Sequence, residues 1–478
     1  MSTSSHGMQG RLLIGGAWVA GRGAVLQVLD KYRLEAFASI DTPDNAQVQE
    51  AVGAAQAAFR AAVADPHARG LVLDRAAVLL EQRLPEFVAL MQREAGFTQN
   101  DAGNEVRRAI QTLKLSAEEA RRLAGEVIPL GGAPGQLGRL GFTLRVPLGV
   151  VAAITPFNAP LNTVTHKVAP AFAAGNAVIL KPSTHTPLTG AKLAEVLIEA
   201  GMPAGFLSVL HGGPEVARAL LADQRVRFFA FTGSTEVGRQ IQQAAGLRRT
   251  QMELGSIACT IVCDDARLEM ALPKIVNAGY RKAGQVCTSV QLLLVHRSLQ
   301  KEVENKLAEL VRALPYGDPN DPTTFVGPVI SEDAAKRIES WVQEAKASGA
   351  RVLAGGERKG AVVAPTLITD IGGHMKVGCS EIFGPVVCIV PFDTLDEAIA
   401  RVNATPFGLA TGLFTNRLVD ALQAAQKLEV GGVHINETSS SRVDLMPYGG
   451  SKDSGFGREG PHYAVQEMTE ERIVTFTI

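Results

Sequence analysis

Cysteine is scarce in this chain: Cys259, Cys263, Cys287, Cys379 and Cys388 are the only five in 478 residues. The number is odd and the spacing is not of metal type, so neither a disulfide framework nor a cysteine metal centre is indicated. No secretory signal precedes them, and a reducing cytoplasm is the expected setting. The nine histidines fall singly, without the pair spacing of a helix- or hairpin-borne site, so no metal is expected. Net charge is almost lacking as well. A formal −1 gives no electrostatic reason to expect nucleic acid or an anionic membrane as partner. Nor does any uncharged stretch read as a membrane span. The longest, 146–166, carries Pro147, Pro156 and Pro160 with Asn158 and Asn162, which reads as a strand followed by a loop. Internal repeats and low-complexity linkers are absent. What remains, 46% hydrophobic and 20% charged residues, describes a soluble globular protein of two or three domains.

Residues 1–10 are small and polar and are expected to be disordered. Residues 11–19, with Gly15-Gly16 in the middle, read as strand–turn–strand. Val48, Ala51, Val52, Ala55, Phe59 and Ala62 repeat at helical spacing after a Thr-Pro-Asp start. A second helix is expected over 71–90, with Pro85 marking a break, and a third over 104–123. Residues 125–141 hold six glycines and two prolines and read as an extended arm. The β-prone tail 472–478 has no local partner and is expected to pair with that arm or with another subunit.

From Gly149 to Leu254 apolar runs alternate with helical stretches. The runs are 150–154, 177–180, 207–210, 228–231 and 250–254, and 188–200 and 214–223 are among the helices. Buried parallel strands with crossover helices, a doubly wound dinucleotide-type fold, are the expected result. A second α/β pattern runs from Ala258 to about Asn436, with strands expected at 291–296, 386–392 and 409–414.

One segment organises the rest: Gly284-Gln285-Val286-Cys287-Thr288-Ser289, with Arg281 and Lys282 just upstream and a strand-like run just downstream. A thiol that reacts must be reachable and easily deprotonated. A short glycine-flanked segment lets backbone N–H groups approach whatever binds the sulfur. Taken alone, Cys287 reads more readily as a buried, inert cysteine.

Seven segments change that reading. They are Pro156-Phe157-Asn158, Lys181-Pro182-Ser183, Phe231-Thr232-Gly233-Ser234, Glu253-Leu254-Gly255, Gly284-Gln285-Val286-Cys287, Glu381-Ile382-Phe383-Gly384-Pro385 and Pro447-Tyr448-Gly449-Gly450. In this order and spacing, over nearly the whole length, the chain resembles the aldehyde dehydrogenase superfamily. The resemblance implies a Rossmann-like cofactor domain (1–120 and 142–254), an α/β catalytic domain (255–445), and a small β oligomerisation arm with the C-terminal tail (121–141 and 446–478). It also implies a homodimer or homotetramer. Cys287 would be the nucleophile, Asn158 with the Cys287 N–H the oxyanion hole, and Glu253 the base that activates water for thioester hydrolysis. The Glu also speaks against a coenzyme-A-acylating branch. NAD or NADP would lie along Ile154, Thr155, Pro156 and Phe157. It would meet Lys181, Ser183 and Thr184, then Gly213, Gly233, Ser234 and Val237, and finally Leu254, Glu381 and Phe383. The turn at Gly233-Ser234 replaces a Gly-x-Gly-x-x-Gly loop and opens a helix whose N–H groups suit a pyrophosphate.

The chain departs from the family pattern at Ser256, usually a second glycine, and at Phe157, often a Trp. Thr184 also stands where NAD-preferring relatives carry a Glu against the adenosine ribose. Dual use of NAD and NADP is therefore expected, with Lys181 as a cation for the 2′-phosphate. Arg108 and Arg442 resemble substrate-binding positions of branches acting on lactaldehyde-like, semialdehyde or phosphate- and phosphonate-bearing aldehydes, and guanidinium groups suit such anions. Val286, where some phosphate-handling relatives place an Arg, and the small Ala159 leave room for an aromatic aldehyde instead. Two other classes stay in view: a cysteine hydrolase, for which no histidine pairs with Cys287 by motif, and a non-catalytic relative, against which the retained Cys287, Glu253 and Asn158 speak.

Overall fold

The computed structural model describes residues 8–61 and 65–477. Ala62, counted in the first helical repeat, and residues 1–7 lie outside that range. Met8–Gly10, read as disordered, instead form a strand parallel to Ala36–Asp41, which also pairs with Val25–Leu29.

The apolar runs between 149 and 254 fold as expected. Five parallel strands stand side by side in the order Arg249–Glu253, Val226–Thr232, Val150–Ile154, Ala177–Lys181 and Leu207–Val209. Val150–Ile154 and Ala177–Lys181 are buried on both faces and carry continuous apolar runs rather than alternation, whereas Arg249–Glu253, buried after its first residue, is largely polar. The Leu12–Ile14/Ala17–Val19 hairpin closes one edge, and Gly455–Phe456 closes the other antiparallel to Met252 and Glu253. Chain order reverses between Val150–Ile154 and Val226–Thr232, which makes their carboxyl ends the topological switch point of a doubly wound sheet. Register does the rest. Lys181 pairs with Ile154, Ile154 with Phe231, and Thr232 with Glu253, so these residues line one edge of the sheet.

A second sheet has seven strands. Thr366–Thr369, Val386–Phe392, Leu292–His296, Cys259–Val262, Ala410–Phe414 and Gly432–Ile435 run parallel, with Arg351–Ala354 antiparallel at one edge. Cys287 enters it ahead of Leu292, at the amino end, whereas Glu253 leaves the first sheet at its carboxyl end. Each sheet packs its own apolar cluster, and the segments joining them carry the candidate residues.

Helix limits show why periodicity alone misplaces ends. The helix expected over 71–90 is broken beside Pro85, as expected, into Pro66–Gln82 and Leu84–Glu94, with Pro85 in the first turn of the second; its outer ends lie further out than the apolar period suggests. The next helix begins at Gln99, five residues early, because the Thr98 side chain caps it by accepting from the Asp101 N–H. The tail strand Thr469–Thr477 pairs antiparallel with Arg139–Pro147, running past the glycine-rich stretch, and Val127–Ile128 adds a third strand. Phe142 and Phe476 stack at 6.0 Å, while Leu140, Leu144, Ile473 and Phe476 stay exposed. No described helix is long and apolar enough to cross a membrane.

Candidate active site

The turn before Cys287 is wound the wrong way for ordinary residues. Lys282, Ala283 and Gly284 have φ of 52°, 51° and 69°, and for the two non-glycines such a conformation persists only if its surroundings enforce it. Lys282 supplies the enforcement. Its N–H donates to Asp101 Oδ2 at 3.1 Å, and its buried ammonium meets Glu105 at 2.6 Å, the Asn158 carbonyl at 3.2 Å and the face of Phe97 at 4.5 Å. Gly284 is required sterically as well, since a Cβ there would stand 2.0 Å from the Gly384 carbonyl oxygen. The turn is thereby locked both to Asn158 and to the Glu381–Pro385 segment.

The Cys287 sulfur emerges half-buried, 2.8 Å from the Tyr448 hydroxyl. Burial pushes its thiol up to about 11, while the Tyr448 hydrogen bond pulls it back. The Asn158 carboxamide is taken by no protein group among the described residues, and it lines the same cavity of about 350 Å³. Glu253 lies there too. Both its carboxylate oxygens are buried without a partner, and burial, then the charge of Glu459, raises it above the ordinary carboxylate range. Glu459 is held ionised: burial opposes this, but Lys167 at 3.0 Å and Arg442 at 2.9 Å outweigh it.

Residues expected on the cofactor gather at the switch point. Lys181 is buried, has no ion pair among the described residues, and is lowered to about 8 by burial. Ser183 Oγ accepts from the His185 N–H at 3.2 Å, and Phe157 meets His185 and Phe383 edge-on at 5.8 and 5.7 Å. Ser234 caps the helix Thr235–Ala245 by accepting from the Val237 N–H, and the Gly233 N–H donates to the Glu253 carbonyl. Gly213 precedes the helix Pro214–Ala222. Leu254 is fixed by a bond from its N–H to the Ser454 carbonyl. Glu381 accepts from the Ser256 N–H at 3.0 Å, and burial lifts it to about 7. Phe383 holds φ 48°, an outlier for an aromatic residue. The buried unpaired cation, the capped helix start and the positioned carboxylate fit a dinucleotide.

The arginines divide unexpectedly. Arg108 binds Asp444 with two bonds, 3.1 and 2.7 Å, and Asp444 also accepts from Asn162 and faces His166. Arg442 is tied to Glu459 and lies 3.7 Å over the Tyr448 ring. A third guanidinium, Arg281, lines the same cavity with no carboxylate at ion-pair distance among the described residues. Its guanidinium donates to the Ser440 hydroxyl at 2.7 Å, with Asp101 and Glu105 farther off in the same lining.

Compared with known proteins, the chain matches the model of the "Aldehyde dehydrogenase family" over residues 18–474. The chain belongs to the aldehyde dehydrogenase family. As such it is an oxidoreductase working with NAD or NADP. The dehydrogenase is 45% identical, over the full length of both chains, to "3-sulfolactaldehyde dehydrogenase" of Priestia aryabhattai. Among solved structures it is similar to aldehyde dehydrogenase 21 from Physcomitrella patens in complex with the reaction product succinate. Identity there is 37% and the TM-score 0.96, with 98% of each chain covered. The NADP-dependent glyceraldehyde-3-phosphate dehydrogenase from Bacillus halodurans C-125, complexed with NADP, gives 32% identity and a TM-score of 0.96, over 98% of this chain and 99% of that one.

Four residues of the dehydrogenase's cavity region escape reading by motif. Arg281 is visible next to the cysteine, but which arginine lacks a carboxylate is a three-dimensional fact. Tyr448 stands inside a quoted segment with no sign that it reaches a sulfur 161 positions away. Lys167 and Glu459 pair across 292 positions, which no local pattern announces.

Proposed function

We propose that this dehydrogenase oxidises a small aldehyde with an anionic end, a carboxylate or a sulfonate, to the corresponding acid. The observation that carries the reading is Arg281, a cavity guanidinium that meets the Ser440 hydroxyl and, among the described residues, has no carboxylate within ion-pair distance, although Asp101 and Glu105 lie in the same lining. A guanidinium left so in a cavity suits an anionic ligand group. Arg108 and Arg442 line the same cavity, but each is paired with a carboxylate, Asp444 and Glu459, which leaves Arg281 as the guanidinium offered to a ligand. The sulfolactaldehyde and succinate named for similar proteins agree with that chemistry.

In this reading Cys287 Sγ attacks the aldehyde carbon, and the Asn158 carboxamide with the Cys287 N–H donates to the oxygen as it becomes negative. The untaken Asn158 amide supports this, since a donor already committed to the protein would serve poorly. NAD(P)+, when bound, supplies the hydride acceptor that turns the thiohemiacetal into a thioester. Lys181, Ser183 and Thr184 would hold its adenosine ribose, Gly233 and Ser234 its pyrophosphate, and Glu381 with Phe383 its nicotinamide end. Glu253 then takes a proton from the water that hydrolyses the thioester. Its buried carboxylate is more basic than an ordinary one, which suits that task.

The same proposal retains domain limits at 120, 141, 254 and 445, and a homodimer or homotetramer built on the arm. The exposed Leu140, Leu144, Ile473 and Phe476 on one small sheet support association. A fully active monomer at micromolar concentration would refute it. The substrate test is a panel of aldehydes followed by cofactor reduction. 3-Sulfolactaldehyde or succinate semialdehyde should give the highest kcat/KM, and preference for benzaldehyde or another neutral aldehyde would overturn the reading.

A further inference from the structure

The burial of Cys287 leaves a problem that the residues above do not solve: something must favour the thiolate over the thiol. Among the described residues, one side chain reaches the sulfur, the Tyr448 hydroxyl at 2.8 Å. The neighbouring Thr288 hydroxyl is turned to Ser440 at 3.2 Å. Tyr448 is itself fixed from three sides. Its backbone is locked opposite Glu459 by two hydrogen bonds, Tyr448 N–H to the Glu459 carbonyl at 3.1 Å and Glu459 N–H to the Tyr448 carbonyl at 2.7 Å. Its ring carries the Arg442 guanidinium 3.7 Å from the centroid. The next residue, Gly449, lies so close to the base that a Cβ there would stand 2.9 Å from Glu253 Oε1.

Arg442 thus touches both halves of this pair. Its Nη2 donates to Glu459 Oε2 at 2.9 Å while its plane covers the phenol, and its Nε is buried without a partner. A guanidinium rarely leaves a donor buried and idle. Here the ring stacking and the ion pair dictate its placement.

We propose that Tyr448 is a further catalytic residue, donating its hydroxyl hydrogen to the Cys287 thiolate, and that Arg442 is the positioning residue that holds it there. A cation on the ring face draws electron density from the phenol and makes its hydroxyl a better donor. Burial keeps the phenol protonated, so it is always available as a donor. A hydrogen bond to the charged form favours that form. Because the same Arg442 pairs with Glu459, whose charge acts on Glu253, nucleophile and base are set by one side chain. This rests on the reading of Cys287 as the nucleophile.

The test is the pH dependence of Cys287 alkylation by iodoacetamide, read by peptide mass spectrometry on the full-length enzyme without substrate. Tyr448→Phe should raise the midpoint of the alkylation profile by about one pH unit, the size expected for losing a hydrogen bond to a charged group. Arg442→Gln should raise it in the same direction, and Arg442→Lys should recover part of the shift by keeping a cation on the ring. Thermal melting of each variant confirms that it is folded. A Tyr448→Phe profile that superimposes on the wild type, or shifts to lower pH, overturns the proposal. Failure of the parent reading is seen separately, as wild-type protein that reduces no NAD(P)+ with any aldehyde.

Discussion

Replacing Arg281 by Gln keeps a polar side chain of similar reach but removes the cavity guanidinium that lacks a carboxylate. A hydrogen bond to a charged group contributes about 1.5–3 kcal/mol. If Arg281 holds the anionic end of the substrate, kcat/KM for succinate semialdehyde should fall roughly 10- to 150-fold. The expected loss lies toward the lower end, because Arg281 is only half-buried. Butanal, of the same chain length without the charge, serves as the control. It should lose less than about threefold, since it forgoes only the background field of the cavity. The assay is initial-rate cofactor reduction over a range of each aldehyde, with thermal melting to confirm that the variant is folded. Equal losses on both aldehydes would mean that Arg281 supports the fold or the thiol rather than an anion. No loss on either would leave the cavity without its anion site.

Thr184→Glu should shift the ratio of kcat/KM toward NAD+ over NADP+, since a carboxylate placed beside Ser183 would repel a 2′-phosphate; an unchanged ratio would mean that another residue governs cofactor choice. Glu381 is raised from 4.5 to about 7, first by burial, so it penalises folding increasingly as pH rises from about 4.5 to 7 and by a constant amount above that. The melting temperature of cofactor-free Glu381→Gln relative to wild type should therefore climb across that window, and a pH-independent difference would contradict the burial argument.

Much of this architecture could be read from single residues, and the failures have physical causes. The apolar runs 150–154 and 177–180 identify parallel strands because both faces are buried, which removes alternation and leaves a continuous signal. The strands Cys259–Val262 and Thr366–Thr369 are harder to see because Thr260, Thr366 and Thr369 interrupt or bound their apolar residues. The Thr98 cap is not legible locally, because Gln99 to Asn104 offer one apolar side chain, Ala102, and hence no apolar period. At the site, Cys287, Glu253 and Asn158 could be named from their segments and share one cavity. Arg108 and Arg442 could be named too, but not what they hold. Asp444 lies 336 positions from Arg108, and such pairing follows from chain topology rather than local pattern. Likewise the left-handed turn at Lys282 is invisible locally, since it is held by Asp101, Glu105, Phe97 and the Asn158 carbonyl, all distant in sequence.

The central claim is that an acyl group is held on Cys287 until Glu253 activates water, and Glu253→Gln tests it most directly. The variant, mixed rapidly with aldehyde and NAD(P)+, should give one equivalent of reduced cofactor per site. Turnover should then be slowed by about 10²- to 10⁴-fold, the usual cost of losing a general base. Mass spectrometry of the quenched reaction should show the acyl mass on the peptide containing Cys287. Loss of the burst together with turnover, or a burst with no adduct on Cys287, would contradict the account.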